Sequence, residues 1–271
     1  MLEAARDSAL PIDAHELEAA EVADRIRQLA ASGVRRIAVA GGDGTVAAAA
    51  EVASSLSIEL AVIPSGTLNH LAKDLEIPDE LEDALRLAVN ADARPVDGGT
   101  VNGRLFLNTS SVGTYVPFVR LRERLERWLG YRLASIAAGI RLLVRPRVFT
   151  VEVEIDGTLQ RYVTPLIFVG VNERELRLPT LGGRARNGRR GLHLLIVRGR
   201  SRAHLAALAF AAAARGTRSA ARMPILDSYI VERFSITMRP ARGRVAADGE
   251  LHVMRAPLEY AWVRDAVEVV R

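Results

Sequence analysis

The 271-residue chain has no cysteine, which excludes disulfides and thiolate metal sites. Lysine is nearly missing too: Lys73 stands alone among 37 basic residues, and the rest are arginine. Aromatic residues make up 5% of the chain, and no stretch interleaves them with basic residues as a stacking platform would. A nucleic-acid partner is therefore not expected. No apolar run reaches the ~18 residues that span a bilayer. "LASIAAGIRLLV" and "LAALAFAAAA" are shorter and read as core helices. The N-terminus, "MLEAARDSAL", lacks the basic and apolar regions of a signal peptide. A cytoplasmic protein without a transmembrane segment is expected, one able to touch the inner membrane face. The sequence does not give its oligomeric state.

What is present fits a globular protein. Hydrophobic residues make up 49% and charged residues 25%, with a formal net charge of +5 and a pI near 10.1. The arginine bias reads first as GC-rich coding. The alternative is affinity for phosphates or anionic lipid headgroups.

The first part of the chain alternates helix and strand. His15–Ser32 has apolar residues at helical spacing, and Gly33 ends that helix. "VRRIAVA" and "IELAVIP" read as strands, Thr45–Ser54 and Asp79–Asn90 as helices, and "SGTLNHLAKDL" as a turn into a further helix. "LPID" near the N-terminus reads as a short strand stub. This order predicts a parallel sheet covered by helices. The pattern changes near residue 95. "RPVDGGTVNGRLFLNTSSVG" reads as two strands turning at Asn102-Gly103, and a long amphipathic helix is expected over Pro117–Val144. A hairpin at Asp156-Gly157, a strand in "GLHLLIVRG", a helix over Ser201–Arg215 and several C-terminal strands follow. The predicted class is α/β: a nucleotide-binding domain over residues 1–97, then a mostly antiparallel, sandwich-like domain over 98–271, with its last strands able to return to the first domain.

The densest motif is "RRIAVAGGDGTVAAAAEV", Arg35–Val52. A strand, a tight glycine turn and a helix N-terminus make an anion site. Glycine allows positive φ and close backbone approach, and the helix aims free N–H groups and its positive end at the ligand. Asp43 adds a carboxylate where a metal–phosphate complex could sit. No Gly-Lys-Ser/Thr follows, so this is not a Walker A loop, and it is not G-x-G-x-x-G. A plain strand-to-helix turn is the competing reading; three glycines around one aspartate are more specific than that requires.

"AVAGGDGTV" (Ala38–Val46) followed by "IPSGTLNHLAKDL" (Ile63–Leu75) resembles the bacterial diacylglycerol kinase catalytic-domain family, soluble lipid kinases related to sphingosine kinases. "RPVDGGTVNGRLFLNTSSVG" and "VAADGEL" match two further blocks, so the resemblance covers roughly residues 15–255. It implies an NAD-kinase-like nucleotide-binding domain and a β-sandwich-like lipid domain. The implied reaction moves the γ-phosphoryl of Mg2+-ATP to a lipid hydroxyl such as that of diacylglycerol, at the membrane surface. By the resemblance, Gly41, Gly42, Asp43, Gly44, Thr45, Val46 and Ala47 wrap the ATP phosphates, and Thr67 also contacts nucleotide. Asp43 and Asp97 hold or orient the metal–phosphate assembly, and Glu250 is the base that takes the hydroxyl proton. Read without the resemblance, Glu250 is a surface residue near a hairpin turn and Asp97 a turn-forming residue before Gly98-Gly99.

Three features depart from the family pattern. Members usually begin with a strand ending in an Asn-Pro-x-Ser-Gly-like loop; this chain is expected to start inside the helix after that strand, as a truncated form with weakened ATP binding. His70 stands where many members have Asp, and no role is assigned to it. Arg190 stands where many members carry an Asp that helps bind a structural Mg2+; a guanidinium cannot ligate a cation, so that metal is not expected. Arg184, Arg186, Arg189 and Arg190 are read either as a contact for anionic lipid or substrate phosphate or as a solvated loop. Two rival functions remain at this stage. One is a kinase of a soluble substrate on the same fold. The other is a non-catalytic nucleotide- or lipid-binding remnant.

Overall fold

The computed structural model describes residues 10–66, 69–113, 148–176, 181–185, 187–198 and 226–271. The helices expected over 117–144 and 201–215, together with Thr67 and Arg186, lie outside these residues. The chain divides into two compact units. The first comprises residues 1–99, 104–108 and 263–271, and the second comprises 100–103 and 109–262.

The first unit is an α/β layer structure. In chain order it holds α1 (Val22–Ala31), β1 (Arg36–Gly41), α2 (Asp43–Leu56), β2 (Glu59–Pro64), the short α3 (His70–Asp74), α4 (Leu81–Asn90), most of β3 (Ala93–Val101) and β4 (Arg104–Phe106). β1 and β2 run parallel, from Arg36 opposite Glu59 to Gly41 opposite Pro64. On the other side of β2 lies the end of the last strand, β16 (Leu258–Val270), also parallel, with Val269 opposite Leu60.

β2 shows why this sheet forms. Leu60 and Val62 enter one apolar cluster with Val46, Ala49 and Ala53 of α2. Ala61 and Ile63 enter another with Ala84, Leu85 and Ala88 of α4. Side chains alternate across a strand, so helices must cover both faces; this is the signature of a central parallel strand. The alanines on the buried side of α2 let its axis lie close to the sheet. One polar side chain fastens the outer strand: Arg36 donates through Nε to Glu59 Oε2 at 2.6 Å and through Nη1 to the carbonyls of Ala88 and Val89, both at 3.1 Å. It thus satisfies carbonyls at the C-terminal end of α4.

α1 begins at Val22 rather than near His15. Glu21 explains the late start: its Oε2 accepts the Glu18 N–H at 3.1 Å, while the Glu21 N–H donates to the Glu18 carbonyl at 2.9 Å. That closed turn sets the helix entry. "LPID" is not a strand; residues 10–17 form no regular element, and Leu10 and Ile12 pack against the Ala61–Ile63 cluster.

The second unit is an antiparallel sandwich. Its strands are β5 (Thr109–Gly113), β6 (Phe149–Ile155), β7 (Thr158–Thr164), β8 (Leu166–Val171), the short pair β9 (Arg174–Leu176) and β10 (Leu181–Arg184), β11 (Leu192–Val197), β12 (Leu226–Val231), β13 (Arg233–Met238), β14 (Arg242–Ala247) and β15 (Glu250–Arg255). One sheet has the order β12-β11-β8-β5-β14-β15. In the other, β13 lies between β6 and the first residues of β16, and β6 pairs with β7. Tyrosines bridge the layers: Tyr260 Oη lies 3.0 Å from Ser110 Oγ, and Tyr162 Oη lies 3.0 Å from Tyr229 Oη. The Tyr260 ring stacks on Phe234 at 4.7 Å. The expected class, a parallel α/β unit followed by mostly antiparallel β structure, is the class observed. "RPVDGG…SSVG" gives three strands rather than two, because the chain leaves β4 at Phe106 and re-enters a different sheet as β5 at Thr109.

β11 carries a buried histidine amid apolar neighbours. His193 Nδ1 accepts the Arg174 N–H at 2.9 Å, which leaves Nε2 to carry the proton and donate to Ser228 Oγ at 2.9 Å. Burial, and secondarily the nearby Arg174 and Arg189 charges, lower its pKa from 6.5 to about 4, against an opposing pull from Glu173. The neutral ring is the folded form, so its stabilisation is complete above pH 6.5 and is lost as the pH falls through that window. The loss amounts to ~3 kcal/mol by the time both states bind the proton. Thermal melts between pH 7 and 4 should therefore show a steeper fall in Tm for the wild type than for His193→Gln. Parallel curves would remove His193 from the acid response.

Candidate functional site

The glycine turn sits where β1 ends and α2 begins. Gly42 is the N-cap, in extended conformation (φ −80°, ψ 176°), with no side chain capping the helix. The first bond into the helix runs from the Val46 N–H to the Gly42 carbonyl. The N–H groups of Asp43, Gly44 and Thr45 precede it, in the turn where an α-helix has no internal acceptors. They form the positive end of a 14-residue helix.

The glycines serve close approach, not backbone handedness. None of Gly41, Gly42, Gly44 and Gly66 has positive φ. A Cβ on Gly41 would lie 2.8 Å from the Thr45 Cβ, and one on Gly66 would lie 2.6 Å from the Gly42 Cα. The turn after β1 and the turn after β2 thus approach closely, and no side chain fits on Gly66.

Asp43 ties the two turns together. Its Oδ1 accepts the His70 N–H at 2.8 Å. Asn69, in left-handed conformation (φ 49°), accepts the Gly66 N–H on its own Oδ1 at 2.9 Å. The Ser65 N–H reaches the Gly41 carbonyl at 3.3 Å. A small recess lies here, lined by Gly41, Asp43, Val62, Pro64, Asn69 and Leu71. The structure thus brings Gly41–Ala47 together with the second loop, while Thr67 of that loop lies outside the described residues. His70 meets Asp43 through its main chain, which explains why a histidine can stand where aspartate is common.

The other two carboxylates occupy different settings. Asp97 on β3 is 4% exposed, and its Oδ1 accepts the N–H of Asp265, a left-handed residue (φ 50°) within β16. Next to it, a Cβ on Gly98 would lie 2.9 Å from the Ala266 Cβ. Asp97 therefore fixes an irregular point of β16. Glu250 lies in the second unit, as the first residue of β15 after the turn Asp248-Gly249, where both φ angles are positive. Asp248 pins that turn to β5: its Oδ1 accepts the Thr109 N–H at 3.0 Å, and its own N–H donates to the Thr109 carbonyl at 2.8 Å. Sequence reading passed over Asp248; the Asp-Gly hairpin signal was the available clue. The Glu250 side chain is half-exposed, with Oε2 3.8 Å from His252 Nε2.

Partners of two members of the arginine loop, Arg189 and Arg190, can be named. The Arg189 N–H donates to Glu173 Oε2 at 2.9 Å, and this bond is the main cause that holds the Glu173 carboxyl below its usual range. The Arg190 guanidinium lies 5.5 Å from the Trp262 ring centre. Among the described residues, no three His, Asp or Glu side chains converge as a protein-built metal cage.

A glycine turn on a parallel α/β sheet is joined in the same chain to an antiparallel sandwich. A solved diacylglycerol kinase from Bacillus anthracis str. Sterne has this architecture: it covers 95% of the present chain and 83% of its own, with a TM-score of 0.67 and 20% sequence identity. At that identity the likeness carries the fold. Residues 2–101 match the model of the diacylglycerol kinase catalytic domain. The chain is also 39% identical over 132 residues to "Diacylglycerol kinase" of Bacillus subtilis (strain 168), covering 45% of this chain and 42% of that relative. It is 35% identical over 133 residues to "Probable lipid kinase YegS-like" of Cronobacter sakazakii, covering 46% and 44%. The aligned stretch thus spans under half of either curated relative.

Proposed function

We infer that the chain is an ATP-dependent lipid kinase that transfers the γ-phosphoryl group to a lipid hydroxyl, with diacylglycerol as the first acceptor to test. The glycine turn carries this reading: uncapped N–H groups at a helix start, two backbones in contact, and one carboxylate between them. Phosphoryl transfer asks for positioning and charge neutralisation rather than covalent chemistry, and this turn offers both. The residues fit Mg2+-ATP. The N–H groups of Asp43, Gly44 and Thr45 suit phosphate oxygens. Asp43 uses Oδ1 for the His70 N–H, leaving Oδ2 as a hard oxygen suited to Mg2+, which is commonly held by one or two carboxylates plus substrate phosphates. Bound Mg2+ would neutralise charge on the phosphates. Asp97, with one oxygen committed to Asp265, is assigned to hold or orient the metal–phosphate assembly. Glu250 is assigned as the base that accepts the hydroxyl proton.

The test is transfer of label from γ-labelled ATP with Mg2+. The acceptors compared are diacylglycerol in mixed micelles, other lipid alcohols, and NAD as a soluble acceptor of the same fold class. Labelling of the lipid alone is the expected result. Labelling of the soluble acceptor alone would move the assignment to that rival, and no turnover with any acceptor would favour the non-catalytic one.

A further inference from the structure

The hairpin that carries Glu250 presents a second surface. In β14 and β15, Arg242 stands opposite Arg255, Arg244 opposite Val253, and Ala246 opposite Leu251. Paired residues share a face. Val245 and Ala247, on the alternate face, are buried on the side of Ser110, which reaches Tyr260 across the sandwich. Arg242, Arg244, Val253 and Arg255 therefore point outward. All four are exposed, and Val253 is 71% exposed, the most exposed large apolar residue among those described. None of the six side chains on this face is a carboxylate. The three guanidinium groups form no ion pair or side-chain hydrogen bond among the described residues.

That arrangement is costly for the isolated fold. Two like charges directly opposite in an antiparallel pair repel, and Arg242 and Arg255 are such a pair. Cations on edge strands do block unwanted strand addition, and β15 is the edge of its sheet. Blocking does not call for an exposed valine amid the cations, however. Three unpaired cations around an apolar tip match an anionic bilayer: phosphate headgroups neutralise the arginines, and the valine enters the boundary beneath them. A nucleic-acid surface would want stacking aromatics, and the face has none.

We propose that the outward face of the β14–β15 hairpin, with Arg242, Arg244 and Arg255 around Val253, is a docking surface for anionic lipid bilayers. The proposal takes its purpose from the lipid-kinase reading, since Glu250 lies on the same hairpin, but its support is the hairpin alone.

The 271-residue chain is sedimented with vesicles of phosphatidylcholine, with or without one-third phosphatidylglycerol, across a salt series. Binding to the anionic vesicles only, weakening as salt screens the charges, is expected. The triple variant Arg242→Gln/Arg244→Gln/Arg255→Gln should bind about a hundredfold less, near fivefold for each cation. Val253→Asp should weaken binding further in the same direction. A charge-matched variant, Arg94→Gln/Arg161→Gln/Arg233→Gln, should keep most of the binding. Equal losses in the two triple variants would make the effect one of net charge and overturn the proposal. So would equal binding to both vesicle types, no binding to either, or equally tight binding of a single-stranded oligonucleotide. Turnover of a short-chain diacylglycerol dissolved as monomer separates the two readings. Vesicle binding lost with monomer turnover kept in the arginine variant supports docking. Absence of turnover in the wild type with vesicle binding intact would sink the kinase reading and leave docking standing.

Discussion

On the proposed function, Asp43→Ala is expected to abolish kinase turnover and Asp43→Asn to lower it by ~10²–10³, the loss typical of one preorganised electrostatic group. The two variants separate two tasks of one side chain. Oδ1 holds the His70 N–H at 2.8 Å and so joins the turn after β1 to the turn after β2. An asparagine oxygen can accept the same bond, so Asp43→Asn should keep the joint and lose only the charge that Mg2+ requires. Alanine loses both. Thermal melts without nucleotide should then place Asp43→Asn near the wild type, and Asp43→Ala lower by the ~0.5–1.5 kcal/mol of one lost hydrogen bond. Wild-type turnover in Asp43→Asn would remove the metal–phosphate role. Equal Tm losses in both variants would remove the structural one.

The same joint shows what sequence reading reaches and where it stops. Gly-Gly-Asp-Gly-Thr reads as a strand–turn–helix junction because its neighbours in the chain are a strand and a helix, and local order was enough to see that. It does not disclose the contact of Gly42 with Gly66, which depends on how two loops meet after the parallel strands pair. Sequence allowed the glycines positive φ; the fold uses them for proximity instead. The hairpins at Asn102-Gly103, Asp156-Gly157 and Asp248-Gly249 were readable for a local reason. An Asx-Gly pair supplies two left-handed residues, and all three pairs adopt them. Asp97 was not readable in this way. Its partner Asp265 lies 168 residues away, and only the return of β16 beside β3 brings them together. The face of Arg242, Arg244 and Arg255 was hidden for a related reason. Cations two apart in a strand look like ordinary solvated alternation until the register sets Arg255 opposite Arg242.

Glu250→Gln tests the remaining assignment. Glutamine keeps the length and one accepting oxygen, so the hairpin should be undisturbed: Asp248, not Glu250, bonds the turn to β5. What disappears is the ability to take a proton from the acceptor hydroxyl, a group that is a poor nucleophile at neutral pH. A positioned general base contributes ~10²–10⁴-fold, and kcat should fall by that factor. Nucleotide affinity should change little, because losing a general base slows the transfer step rather than phosphate binding. The outcome is read as a split: kcat reduced, ATP Kd unchanged and Tm unchanged. A fall in kcat of less than about threefold would be too small for a lost general base and would move the base elsewhere, with Asp43 the next candidate. A rise in ATP Kd equal to the fall in kcat would instead make Glu250 a nucleotide-binding residue.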